Sequence, residues 1–201
     1  MALSDEEATQ IISNLKNLGV NCLAIDFDRT LITSHTEGKF KGETSTLIES
    51  VRPVFTTLIP RAEAAGIHII VVTFSPQVKL IREVLTAAIR TVAEIIVRGN
   101  DGTWQYSGQG SGEGKQAHIS SAYEELSSRF GTSTTATADP TSDNPSPQVT
   151  SVTRASTLLI DDDVKNIRAA LKHKTPAVLF NPFEHESEFV RSLLALGRAP
   201  L

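Results

Sequence analysis

Two carboxylates stand two residues apart at the end of a short apolar run, in Cys22-Leu23-Ala24-Ile25-Asp26-Phe27-Asp28-Arg29-Thr30-Leu31. Positions i and i+2 of a strand share a face. If the extension persists through Phe27, Asp26 and Asp28 converge on one spot. Two close carboxylates repel unless a proton or a cation sits between them. The pair therefore points to a bound divalent metal, a shared proton, or both. Asp also caps helices and starts turns, so a purely structural role stays open on this segment alone.

The elements that must position these groups can be read from hydrophobic period and punctuation. Ser4 and Glu7 form a capping-box pattern, and Ile11, Ile12, Leu15 and Leu18 recur at helical spacing, which predicts a helix over 5–18 closed by Gly19. Residues 21–27 form a strand, and 31–46 a small polar flap. Helical period returns over 47–65, with Pro53 marking a break or restart. The β-branched run 67–73 reads as a strand buried on both faces. A helix over 76–91, a strand over 94–98, a hairpin arm at Thr103-Trp104-Gln105-Tyr106 and a helix over 115–130 follow. After residue 156 come a strand (157–161), a helix (164–173), a strand (176–180) and a helix (186–196). This alternation predicts an α/β fold: a doubly wound, mainly parallel, Rossmann-like sheet with helices on both faces. Residues 1–201 read as a single domain. Within it, 15 of the 26 positions in 131–156 are Ser, Thr or Pro, a composition that predicts a flexible insertion.

Ligands of open α/β sheets bind beyond the carboxyl ends of the strands. The first strand delivers Asp26 and Asp28 there. The second delivers Thr73, with Ser75 just beyond. The strand at 157–161 delivers Asp161, Asp162 and Asp163, and Lys115 stands near the start of a helix. So many carboxylates at one edge call for a hard cation such as Mg²⁺, which binds carboxylate oxygen and keeps waters.

The set resembles the haloacid dehalogenase-like hydrolase superfamily, its phosphatase branch in particular. Asp26-Phe27-Asp28-Arg29-Thr30 matches the D-x-D-x-T motif, Thr73 the Thr or Ser after the second strand, Lys115 the third-motif lysine, and Leu158-Leu159-Ile160-Asp161-Asp162 the acidic fourth motif. The resemblance covers roughly residues 20–180 without the insertion. It implies Asp26 as a nucleophile that forms an aspartyl-phosphate and Asp28 as general acid–base. Thr73 and Lys115 would contact the phosphoryl group and balance charge. Mg²⁺ would be held by Asp26, the backbone carbonyl of Asp28 and a fourth-motif carboxylate, Asp162 with Asp161 adjacent. Lys79 competes for the lysine role. Lys115 is preferred because Gly114-Lys115 opens a helix whose N-terminus should face the site. Asp163 reads as a helix N-cap and His185 as a helix-start residue.

The implied activity is Mg²⁺-dependent phosphomonoester hydrolysis. Two alternatives remain: a non-catalytic metal-binding or protein-interaction module that keeps the fold, and a phosphotransferase or phosphomutase. With room only for a flap and a short hairpin in place of a cap domain, the resemblance implies an open cleft suited to bulky, even macromolecular, phosphorylated substrates. The rest of the composition is permissive. Apolar content of 40%, charged content of 21% and a formal net charge of -4 describe a soluble globular chain with no global attraction to nucleic acid or anionic membrane. The single cysteine, Cys22, excludes an internal disulfide framework and reads as a buried thiol. The acidic N-terminus lacks signal-peptide character and no run is long enough to span a bilayer, which makes a cytoplasmic location the default expectation. The glycine-rich segment 108–115 imitates a phosphate-binding P-loop, but Gln109 and Gln116 stand where that pattern needs Gly and Ser or Thr.

Overall fold

The computed structural model describes residues 3–106, 112–130 and 151–197. Five short strands, β1 (Cys22–Ile25), β2 (His68–Val72), β3 (Ile96–Arg98), β4 (Thr157–Asp161) and β5 (Ala177–Leu179), form one sheet in the order β3-β2-β1-β4-β5. Every pairing is parallel, with Ile25 level with Val71 on one side and Ile160 on the other. The strand order reverses at β1, so the end of β1 is the crevice position of a doubly wound sheet.

Among the described residues seven α-helices cover the sheet: α1 (Asp5–Asn17), α2 (Thr44–Glu49), α3 (Pro53–Ala64), α4 (Val78–Ala88), α5 (Gln116–Phe130), α6 (Val164–Lys172) and α7 (Glu186–Leu194). Ser4 and Glu7 do form the reciprocal capping box of α1. Pro53 restarts rather than interrupts: it is the first residue of α3, where its missing N–H costs no hydrogen bond. Strand alternation divides the core in two. Leu23, Ile25, Ile69, Val71, Leu158 and Ile160 face the layer of α1, α3, α4 and α7. Cys22, Ala24, Ile70, Val72 and Leu159 face α5 and α6. The Cys22 thiol is fully buried, which pushes its pKa up to about 12 and keeps it protonated.

Behind β5 the first core layer ends in an aromatic trio. Phe55 packs 6.1 Å from Phe180 and 5.7 Å from Phe189, and those two rings lie 4.9 Å apart. Phe55→Ala should cost about 3–5 kcal/mol in a urea titration, because three interlocked rings cannot collapse into the space; a loss under about 1 kcal/mol would show that the trio carries little of the stability.

The hairpin expected at Thr103–Tyr106 is absent: these residues are irregular backbone. Trp104 turns inward, its indole N–H donating to the carbonyl of Gly99 (2.6 Å), and its ring meets His118 at 4.7 Å. A buried tertiary contact has replaced strand pairing. Most of the proposed insertion, residues 131–150, and half of the P-loop look-alike, residues 108–111, lie outside the described residues. Among the described residues no helix is long and apolar enough to cross a membrane.

Candidate active site

The chain leaves β1 after Ile25 and does not stay extended. Phe27–Leu31 make one wide turn, closed by Leu31 N–H to Asp26 O (3.2 Å) and Ile32 N–H to Phe27 O (3.1 Å). Within it Arg29 adopts φ 60°, a left-handed conformation that costs a non-glycine residue about 1–2 kcal/mol. Both acids still line one cleft, but the turn gives them different partners. The Asp28 carboxylate accepts from the backbone N–H (3.0 Å) and hydroxyl (2.9 Å) of Thr36 in the flap, and His35 Nδ1 lies 3.7 Å away. Asp26 groups instead with Asp161 and Asp162: one oxygen from each of the three lies within 4.8 Å of the others.

Asp26 continues the alternation of Cys22 and Ala24, so it points to the α5 side of the sheet. There Lys115, the residue before α5, places its ammonium 2.8 Å from Asp26 Oδ1 and 3.1 Å from the carbonyl of Val72. The ring of Phe74 covers the ammonium at 4.1 Å. Lys115 is almost wholly buried, while Lys79 is exposed on α4 and does not line the cleft. Thr73 Oγ1 accepts the Ser75 N–H (3.1 Å), which leaves its own hydroxyl hydrogen free for another acceptor. Asp26, Thr73, Phe74, Ser75 and Lys115 line one cleft of about 940 Å³ with Asp28, Asp161 and Asp162.

Burial raises the proton affinity of all three clustered carboxyls. Asp26 is raised by burial, opposed by Lys115 and reinforced by Asp162 and Asp28. Asp161 is pushed up to about 7 by burial and by Asp26, although both its oxygens accept from Asn166 (3.0 Å each) and one from the Asp163 N–H (2.8 Å). Asp162 is raised by burial, with Arg29 opposing. Three oxygen-only donors against one ammonium fit a hard divalent cation, whose charge would offset the crowding that raises their proton affinity. Asp163 caps α6 by accepting the Lys165 N–H (2.8 Å), and His185 caps α7.

Three supporting residues were not singled out from sequence. Arg52, buried at the N-cap of α3, donates to the carbonyl of Arg29 (3.1 Å), pairs with Glu186 (3.5 Å) and rests on the Phe180 ring (4.7 Å). It pins the strained turn beside Asp28. Its one signal in the sequence is a cation at a helix N-terminus, where the helix dipole disfavours it. Gly99 passes so close to the Thr73–Ser75 loop that a Cβ would lie 2.3 Å from the Ser75 carbonyl.

His118, the third, stacks edge-on against Phe74 (5.3 Å) and Trp104, with Nε2 2.9 Å from Asn100 Oδ1 and a buried Nδ1 that has no hydrogen-bond partner. Burial, then the charges of Lys115 and Arg98, lower its pKa from 6.5 to about 4. The unfolded chain takes up this proton near pH 6.5 and the folded chain near 4, so folding stability falls as pH drops through that window. The loss should reach about 3 kcal/mol below pH 4. Urea titrations at pH 7 and pH 4.5 should show a smaller acid loss in His118→Gln than in wild type; equal losses would remove His118 as the cause.

No protein-family model and no curated protein matches the chain. Solved structures do. The N-terminal part of a Bacteroides fragilis protein, containing a phosphatase domain complexed with Mg, matches with TM-score 0.50 and 14% identity over 94% of this chain and 43% of that one. This chain thus spans less than half of that protein's solved part. An uncharacterized Corynebacterium glutamicum protein matches over 90% of this chain and 99% of its own (14% identity, TM-score 0.43). The HAD domain of an effector protein from Legionella pneumophila matches over 89% and 96% (12% identity, TM-score 0.43). The fold shared with the B. fragilis domain is a doubly wound parallel α/β fold. At such identities the likeness is one of fold, and the phosphatase domain and its Mg belong to the B. fragilis protein. In this α/β fold the acidic trio occupies the crevice where β1 meets β4.

Proposed function

We propose that this chain is a Mg²⁺-dependent phosphomonoester hydrolase working through an aspartyl-phosphate on Asp26. The observation that carries the reading is the buried Asp26 carboxylate, held by Lys115 at 2.8 Å and grouped with Asp161 and Asp162 at the end of β1. Asp26, Asp161 and Asp162 would hold Mg²⁺ by their side chains, with the Asp28 carbonyl, and the ion would supply charge neutralisation at the phosphoryl oxygens.

The residues divide the work. Lys115 holds one Asp26 oxygen and fixes the carboxylate for in-line attack on phosphorus. A bond forms between Asp26 and phosphorus as the ester bond breaks, and Asp28 gives its proton to the leaving oxygen. Thr73, its hydroxyl hydrogen uncommitted, donates to a phosphoryl oxygen. Asp28 then takes a proton from water, whose oxygen attacks phosphorus and releases Asp26. Thr36 holds Asp28 in place through two hydrogen bonds, so Thr36 is a positioning residue.

The test is hydrolysis of 4-nitrophenyl phosphate with Mg²⁺ and with a chelator. Turnover should require the metal and return when it is restored. A folded, Mg²⁺-binding protein with no turnover on any phosphomonoester would favour the non-catalytic module instead.

A further inference from the structure

Of the seven exposed large apolar side chains among the described residues, four share one cleft. Phe74, Val164, Leu179 and Phe183 are each at least 44% exposed, and all four line the cleft that holds Asp26. Phe183 leaves 88% of its surface in water. Among the described residues, the comparable side chains Leu18, Val92 and Leu171 lie away from this cleft. Single exposed apolar groups are ordinary, but several on one concave wall mark a binding surface.

The wall is continuous with the chemistry. Phe74 forms the junction, one face of its ring toward the Lys115 ammonium and its edge against His118. Phe183 lines the same cleft from the loop after β5, where its N–H donates to Asn181 Oδ1 (3.1 Å). The cleft is far larger than a phosphoryl group, and carboxylates outnumber cationic side chains on its lining. With a divalent cation on the trio those charges balance, so a leaving group with further negative charge gains no net attraction, whereas a flat apolar ring can stack on exposed phenyl faces.

We propose that Phe74, Val164, Leu179 and Phe183 form a leaving-group subsite for phosphomonoesters whose alcohol carries an apolar ring. The inference rests on the phosphatase reading and adds a substrate class to it. Benzyl phosphate and ethyl phosphate test it, because both leave as primary alkoxides and differ chiefly in the ring. With Mg²⁺, kcat/KM should be about tenfold higher for the benzyl ester. Phe183→Ser/Leu179→Ser removes two solvent-exposed members of the wall and should bring that ratio close to one by loss on the benzyl ester. A wild-type ratio near one, or a ratio that the double variant leaves intact, would overturn the subsite. Calorimetry with benzylphosphonate and ethylphosphonate in Mg²⁺ separates the two readings. A roughly tenfold benzyl preference that the double variant loses, without hydrolysis of either ester, would keep the subsite and overturn the phosphatase. Equal affinities would overturn the subsite even beside rapid hydrolysis.

Discussion

Asp26→Asn should lower Mg²⁺-dependent turnover by about 10⁴-fold or more while the protein stays folded. An amide is nearly the same size but is a poor nucleophile, so the loss should fall on kcat. Folding should survive because the substitution removes one of three crowded carboxylates, whose proton affinities burial and mutual repulsion already raise. Lys115 keeps the Val72 carbonyl and the Phe74 ring. Near-UV circular dichroism checks the fold, and acid-quenched mass spectrometry of the wild type during turnover should show one added phosphoryl group. Turnover within tenfold of wild type would sink Asp26 as nucleophile.

Lys115→Met should have a large effect on stability. The ammonium is the one cation hydrogen-bonded to the trio among the described residues, and methionine leaves three buried or half-buried carboxylates without it. Removing one partner of a buried ion pair costs about 3–5 kcal/mol, or about 10 °C in Tm for a chain of this size. The sign with pH follows from the raised carboxyl pKa values. A carboxyl with a folded pKa above its unfolded one penalises the folded state as pH rises from about 4 through about 7, the value for Asp161. The deficit of the variant in chelator should therefore be greatest above pH 7 and shrink toward pH 5, where protons replace the missing cation. Mg²⁺ should recover part of it at pH 8. Thermal melts that show no deficit at pH 8, or a deficit that grows toward acid, would contradict this account of the site.

Much of the fold was legible because its determinants are local. The β-branched run ending at Val72 is apolar on both faces, as a central parallel strand must be, and it became β2. The capping box at Ser4 and the restart at Pro53 are each written within a few residues of local sequence. The hairpin at 103–106 misled because Trp104 and Tyr106 carry strand propensity, yet Trp104 found a better partner in the Gly99 carbonyl. The D-x-D spacing was legible, but not its geometry. Strand alternation would have aimed Asp28 beside Asp26, and the wide turn at Phe27–Leu31 sends it to Thr36.

By itself, then, the sequence determined the alternation of strands and helices, the strand ends that carry acids, and the residue types able to bind a hard cation. These follow from periodicity and from side-chain chemistry, which need no knowledge of distant partners. The tertiary structure alone decided that Lys115 meets Asp26 across 89 residues, that Asp161 and Asp162 complete the trio, that Arg52 pins the turn at Arg29, and that four exposed apolar side chains share the cleft. Those contacts depend on sheet order and on which face each helix covers, and both are set by packing the whole chain at once.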